Sequence, residues 1–119
     1  ASGHVLVYPD GFEKHWNDCR AGANYSANRR DVDDPAFLRA IVAAESAASG
    51  IDPRRVFAVG MSNGGQMVLR LALEDPAGYA ALAVIAASLP APAGRDCRTA
   101  PGSVPLAFFN GTADPINPF

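Results

Sequence analysis

Ser62 sits in Gly60-Met61-Ser62-Asn63-Gly64, between the apolar run Val56-Phe57-Ala58-Val59 and a segment patterned as a helix. Strand, tight turn, helix is the layout of a nucleophile elbow: a serine is lifted above a sheet on a sharp bend, and glycines two before and two after it keep side chains out of the turn. A serine hydroxyl is a weak nucleophile at neutral pH, so it needs an imidazole to take its proton and a carboxylate to orient that imidazole. In this arrangement the three follow the chain order serine, acid, histidine. Asp114, on the loop that leaves the apolar run 104–109, stands where the acid is expected, although an Asp before a proline commonly caps its own turn. The backbone N–H of Asn63, next after the nucleophile, is the expected oxyanion-hole donor. No histidine follows Asp114; His4 and His15 both precede the elbow and read as surface or loop residues, with His15 in reach only if its loop folds over the site.

The elements that must position these groups alternate along the chain. Val5-Leu6-Val7-Tyr8 reads as a buried strand stopped by Pro9-Asp10-Gly11. Residues 12–32 show no period and read as a long surface or active-site loop. A helix begins at Asp34-Pro35, with Asp34 as the expected acidic cap, and Gly50 closes it. Phe37, Ile41, Ala44 and Ala48 share one of its faces. After the elbow, Gln66, Arg70 and Glu74 recur every fourth position and leave the rest of the helix apolar, so it should be largely buried. Apolar runs at 81–86 and 104–109 complete the pattern, with a proline-rich linker between them. Apolar strands alternating with helices predict an α/β fold, a parallel sheet with helices on both faces. Chemistry in such sheets collects beyond the carboxyl ends of the strands, which is where Asp10, Ser62 and Asp114 all fall.

Composition narrows the class. The 119 residues are 49% hydrophobic and 18% charged, in the range of a globular domain with one modest core. A formal charge of −2 with dispersed Lys and Arg offers nothing to a phosphate backbone, so no nucleic-acid partner is expected. The longest apolar stretch, 80–87, is far short of the roughly 20 residues that span a bilayer, so no membrane contact is expected. Cys19 and Cys97 lie in loops and either pair or remain two thiols; their spacing does not decide. No metal site or organic cofactor is implied.

Tyr8-Pro-Asp-Gly11, Trp16-Asn-Asp18, Gly60-Met-Ser-Asn-Gly-Gly65 and Asn110-Gly-Thr-Ala-Asp-Pro115 together resemble the polyhydroxybutyrate depolymerase and feruloyl esterase family of α/β-hydrolases. The resemblance covers nearly the whole chain. It implies Ser62 as nucleophile, Asp114 as acid, Asn63 as oxyanion-hole donor, secretion, and ester bonds in polyhydroxyalkanoates or in feruloylated or acetylated polysaccharides as substrates. Trp16, with Phe12, would wall the substrate site. The family's Gly-His-Thr-Trp type segment and its early His-Gly loop have no counterpart here. Residues 1–119 are therefore expected to be one incomplete α/β-hydrolase domain, inactive alone, lacking N-terminal strands and the part that bears the base. A serine peptidase of the same fold and a non-catalytic hydrolase-like binding module are the competing expectations.

Overall fold

Three of the apolar runs find neighbours and become strands. In the computed structural model, which describes residues 3–117, the chain passes through α1 (Ser26–Arg29), α2 (Asp34–Ser49), β1 (Phe57–Met61), α3 (Asn63–Glu74), β2 (Ala81–Ile85) and β3 (Leu106–Phe109). The strands form one parallel sheet in the order β1-β2-β3, with Phe57 opposite Ala81, Met61 opposite Ile85 and Ile85 opposite Phe109. The expected α/β architecture is present.

Side chains alternate across a strand, so β1 and β2 show two fates, whereas β3 is exposed throughout. Leu82 and Val84 face α3 and join Met67, Val68, Leu69, Leu71, Tyr79 and Ala87 in the core. Phe57, Val59, Met61 and Phe109 lie on the other face and are 60–67% exposed. That face of the sheet is open among the described residues. Burial of α3 extends to its polar stripe, since Gln66 and Arg70 are as enclosed as the apolar positions. No helix among the described residues is long and apolar enough to cross a membrane.

Three expectations are corrected. Residues 5–8 are exposed and lie outside the sheet, because a β-prone tetrapeptide becomes a strand only beside a partner that takes up its N–H and C=O groups. The cap of α2 is Asp33, whose carboxylate accepts the Ala36 N–H at 3.1 Å; Asp34 is instead the first helical residue and is buried, accepting the Asn17 N–H at 2.7 Å. The 12–32 stretch also contains the single turn α1 and a 3₁₀ turn at Phe12–Lys14. As expected, Gly50 ends α2 in the left-handed conformation, at φ 65°.

Cys19 and Cys97 form a disulfide with Cα atoms 5.1 Å apart, closing a sequence separation of 78 residues. An antiparallel bridge between Arg20 and Arg95 runs beside it, and the Asp96 N–H donates to the Cys19 carbonyl at 2.8 Å. Restricting so long a loop in the unfolded chain is worth about 4–5 kcal/mol in the chain-entropy model. Reduction, or a paired Cys19→Ser and Cys97→Ser change, should therefore lower unfolding free energy by up to that amount in denaturant titrations. An unchanged midpoint would contradict the bridge's role.

Candidate active site

The turn after β1 is built by exclusion. A Cβ added to Gly60 would meet the Gly64 carbonyl oxygen far inside contact distance, and one added to Gly65 would lie 2.8 Å from the Ala87 Cβ. Gly64 itself has room, with nothing nearer to an added Cβ than Trp16 Nε1 at 4.0 Å. The packing requirement thus falls on Gly60 and Gly65, and Gly64 contributes the backbone that Gly60 must clear. Between them the chain is forced through Ser62 at φ 53°, ψ −121°, a conformation an L-residue keeps only when its surroundings hold it there. Two bonds do so: the Ser62 N–H donates to the Ile85 carbonyl at 3.0 Å, extending the β1–β2 ladder, and the Ser62 carbonyl accepts the Gln66 N–H at 2.9 Å.

A serine at a helix N-cap ordinarily spends its hydroxyl on an amide of the first turn. Ser62 occupies the N-cap of α3 but makes no side-chain capping bond. It is exposed, and its hydroxyl takes part in no hydrogen bond among the described residues. The oxygen therefore stands above the sheet unspent. Next to it the first amides of α3 have no carbonyl within the helix to bond, and the positive end of the helix dipole points the same way. The Asn63 N–H belongs to this set.

Trp16 is brought to the elbow. Its N–H donates to Asn63 Oδ1 at 2.7 Å, its carbonyl accepts from Asn63 Nδ2 at 3.1 Å, and its ring packs on the core and stacks with Phe37 at 6.4 Å between centroids. His15, one residue earlier, is carried along, but its ring stacks on Tyr25 at 4.0 Å and its Nδ1 lies 3.2 Å from the Glu13 carbonyl. It makes no bond to Ser62.

Asp114 lies on the loop that leaves β3, two strands across the sheet from the elbow. Ser62 leaves β1 and Asn110 leaves β3, with β2 between them, so the two exits are about 10 Å apart at ordinary strand spacing. Asn110 clamps the neighbouring exit, donating to the Ala87 carbonyl at 3.2 Å and accepting the Ala87 N–H at 3.3 Å. Ala87 in turn is the residue Gly65 makes room for, so the elbow and the Asp114 loop register against one shared residue. Asp114 Oδ1 accepts the Ile116 and Asn117 N–H groups at 2.8 and 3.0 Å, and those two bonds hold its carboxyl below the usual range. The turn-capping role weighed from the sequence is thus present, and no bond links Asp114 to Ser62 or to a histidine among the described residues. Among these residues no group of three His, Cys, Asp or Glu is placed to hold a metal ion.

What sequence reasoning missed is a buried polar knot behind the elbow. Asp18 is 2% exposed and accepts from Arg20 Nε and Nη2 at 2.9 and 2.6 Å, from Asn28 at 3.1 Å and from Asn63 Nδ2 at 2.8 Å. Asn17 beside it is fixed by Asp31, Val32 and Asp34, and its carbonyl accepts from Arg70 Nη1 at 2.7 Å. Burial alone would push the Asp18 carboxyl up; the bonds from Arg20 and Asn28 outweigh it and hold it below 3.8. Burial wins at Asp34, whose carboxyl is raised despite the Asn17 N–H and the Arg70 charge. The sequence signals for this knot were the Trp16-Asn-Asp18 motif of the resemblance and its place next to a cysteine, and neither of them reports burial.

With that geometry in view, a curated protein of Nocardia uniformis subsp. tsuyamanensis, named "Putative esterase NocK", is 38% identical to the chain over 120 residues. The match takes in all of this chain and 33% of that protein, so the chain spans about a third of its relative's length. Over that span the chain is esterase-like. No protein-family model and no solved structure gives a significant match.

Two outcomes follow from the site. Gly60→Ala should cost roughly 1–3 kcal/mol of stability or more through forced backbone movement, whereas Gly22→Ala, with nothing within 4 Å, should leave the denaturation midpoint nearly unchanged. Because the folded Asp18 carboxyl titrates below its ordinary value, the unfolded chain binds its proton more readily. Its contribution is full above pH 3.8 and is lost as pH falls through the folded value. Melts between pH 2 and 6 should show a shallower acid-side decline for Asp18→Asn than for the parent; equal slopes would contradict it.

Proposed function

We propose that these residues belong to a serine carboxylic ester hydrolase, with Ser62 as nucleophile, Asn63 N–H as an oxyanion donor and Asp114 as the carboxylate that orients the base. The observation that carries the reading is the exposed Ser62 at positive φ, its hydroxyl unspent at a helix N-terminus. Similarity to a protein named as an esterase supports the bond type.

In this reading the base takes the Ser62 proton as Oγ attacks the ester carbonyl carbon. The carbonyl electrons move onto oxygen, where the Asn63 N–H and the α3 dipole receive the charge. Collapse expels the alcohol, which leaves with the proton returned by the base, and an acyl-serine remains. Water then attacks that ester with the same base assisting, and the carboxylic acid is released. Asp114 acts through Oδ2, since its two backbone bonds both go to Oδ1. The gap of about 10 Å between the Ser62 and Asn110 exits suits a carboxylate and a serine that meet through one intervening imidazole. No histidine follows Asp114 in these residues and the His15 ring is engaged by Tyr25 and the Glu13 carbonyl, so in this reading the imidazole comes from a longer protein, for which a relative three times this chain's length is the support.

For substrate we extend the reading to esters in polymers, polyhydroxyalkanoate or feruloyl- and acetyl-polysaccharide, with Trp16 bordering the bound group. Support is the motif resemblance and the seat of Trp16 against Asn63. Secretion is supported by the Cys19–Cys97 bridge, because disulfides persist in oxidising surroundings.

A fluorophosphonate probe on the full-length protein tests the assignment. We expect covalent labelling at Ser62, loss of esterase activity by roughly 10³-fold or more in Ser62→Ala, and little change in His15→Gln. Absence of labelling while a control hydrolase reacts would remove the reading, and turnover of peptides with none of esters would move it to a peptidase.

A further inference from the structure

The Asn63 carboxamide is engaged well beyond what a helix-start residue needs. Oδ1 accepts from the Trp16 N–H, and the two hydrogens of Nδ2 go to the Trp16 carbonyl and to Asp18 Oδ2. None of these bonds takes part in the chemistry proposed above. They do, however, fix the side chain of the residue whose backbone N–H is the proposed oxyanion donor. The first turn of a helix is where backbone amides are least constrained from within, so an outside clamp decides where that N–H points.

We infer that Asp18 is a positioning residue for ester hydrolysis: acting through the Asn63 carboxamide, it holds the Asn63 N–H where the oxyanion forms and keeps Trp16 seated beside it. The inference rests on the esterase reading. A buried carboxylate this close to a developing negative charge would oppose it if left unbalanced. Arg20 supplies the balance, with Nε and Nη2 both on Asp18 Oδ2. The disulfide at Cys19 and the bridge from Arg20 to Arg95 anchor the segment that presents Asp18, so the clamp has a fixed base. An oxyanion donor works at 2.7–3.1 Å from the oxygen, and misplacement by about 1 Å costs roughly 10²-fold in rate.

The test is a charge exchange across the Asp18–Asn63 contact in the full-length protein, read as the rate of fluorophosphonate labelling at Ser62 and as kcat and KM on a soluble ester. Asn63→Asp sets two carboxylates against each other and should slow labelling and kcat by roughly 10–100-fold with KM little changed. Adding Asp18→Asn restores an amide facing a carboxylate, with polarity reversed, and should recover about tenfold of that loss, more than any accompanying recovery in Tm explains. If Asn63→Asp does not fold, Asn63→Ala replaces it and should still lower kcat about tenfold. Parent-like labelling by the Asn63 variants, a loss confined to KM, or a double variant no faster than Asn63→Asp would overturn the positioning role. Failure of the parent protein itself to label would instead overturn the esterase reading and this inference with it.

Discussion

Holding a non-glycine residue at φ 53° against its own preference is the constraint on which the rest of this structure depends. Such a residue costs of order 1–3 kcal/mol and persists only where its surroundings over-determine it. Here they do. Pairing of β1 with β2 fixes the chain before Ser62, the bond to the Ile85 carbonyl fixes its nitrogen, and α3 fixes the chain after it. Gly60 and Gly65 let those elements approach closely enough for all three to act together. The same turn that stores strain keeps the serine side chain away from the capping bond it would otherwise make. A hydroxyl left without a partner among the described residues, beside amides left without carbonyls in the helix, is the feature on which the proposed nucleophile and oxyanion donor rest.

A second layer stabilises that turn from behind. The Trp16–Arg20 segment has no regular structure, yet Asn17, Asp18 and Cys19 are buried, and their polar groups are met by α2 through Asp34, by α3 through Arg70 and Asn63, and by the 95–97 segment through the disulfide. Burying two carboxylates and a guanidinium is costly unless each is matched, and removing one partner leaves the others exposed to that cost. The knot therefore ties distant parts of the chain to one geometry, and the elbow is among them.

Much of this was legible in the sequence wherever a local rule and the tertiary structure agree. The elbow, the three paired strands, the buried α3 and the Gly50 stop follow from glycine placement and apolar runs. Residues 5–8 did not, because pairing is a property of two segments and propensity reports one. Asp34 reads as the cap because Pro35 follows it; Asn17, seventeen residues earlier, decides otherwise, because its N–H claims the Asp34 carboxylate and the capping bond falls to Asp33. Apolar residues on both faces of β1 read as burial on both sides, while only one side is covered among the described residues. The polar knot stayed hidden because it has no period: it is assembled from contacts between residues up to 53 apart, and hydrophobic patterning carries no record of such bonds. Gly65 was overshadowed by Gly64, which fits the motif but has space around it.

A crystal structure of the full-length protein carrying a phosphonate adduct tests the central claim most directly. Phosphorus should be bonded to Ser62 Oγ, with Ser62 still at positive φ and a phosphonyl oxygen about 2.7–3.1 Å from the Asn63 nitrogen. An adduct on another residue, a Ser62 relaxed to negative φ, or an oxygen directed away from Asn63 would contradict it.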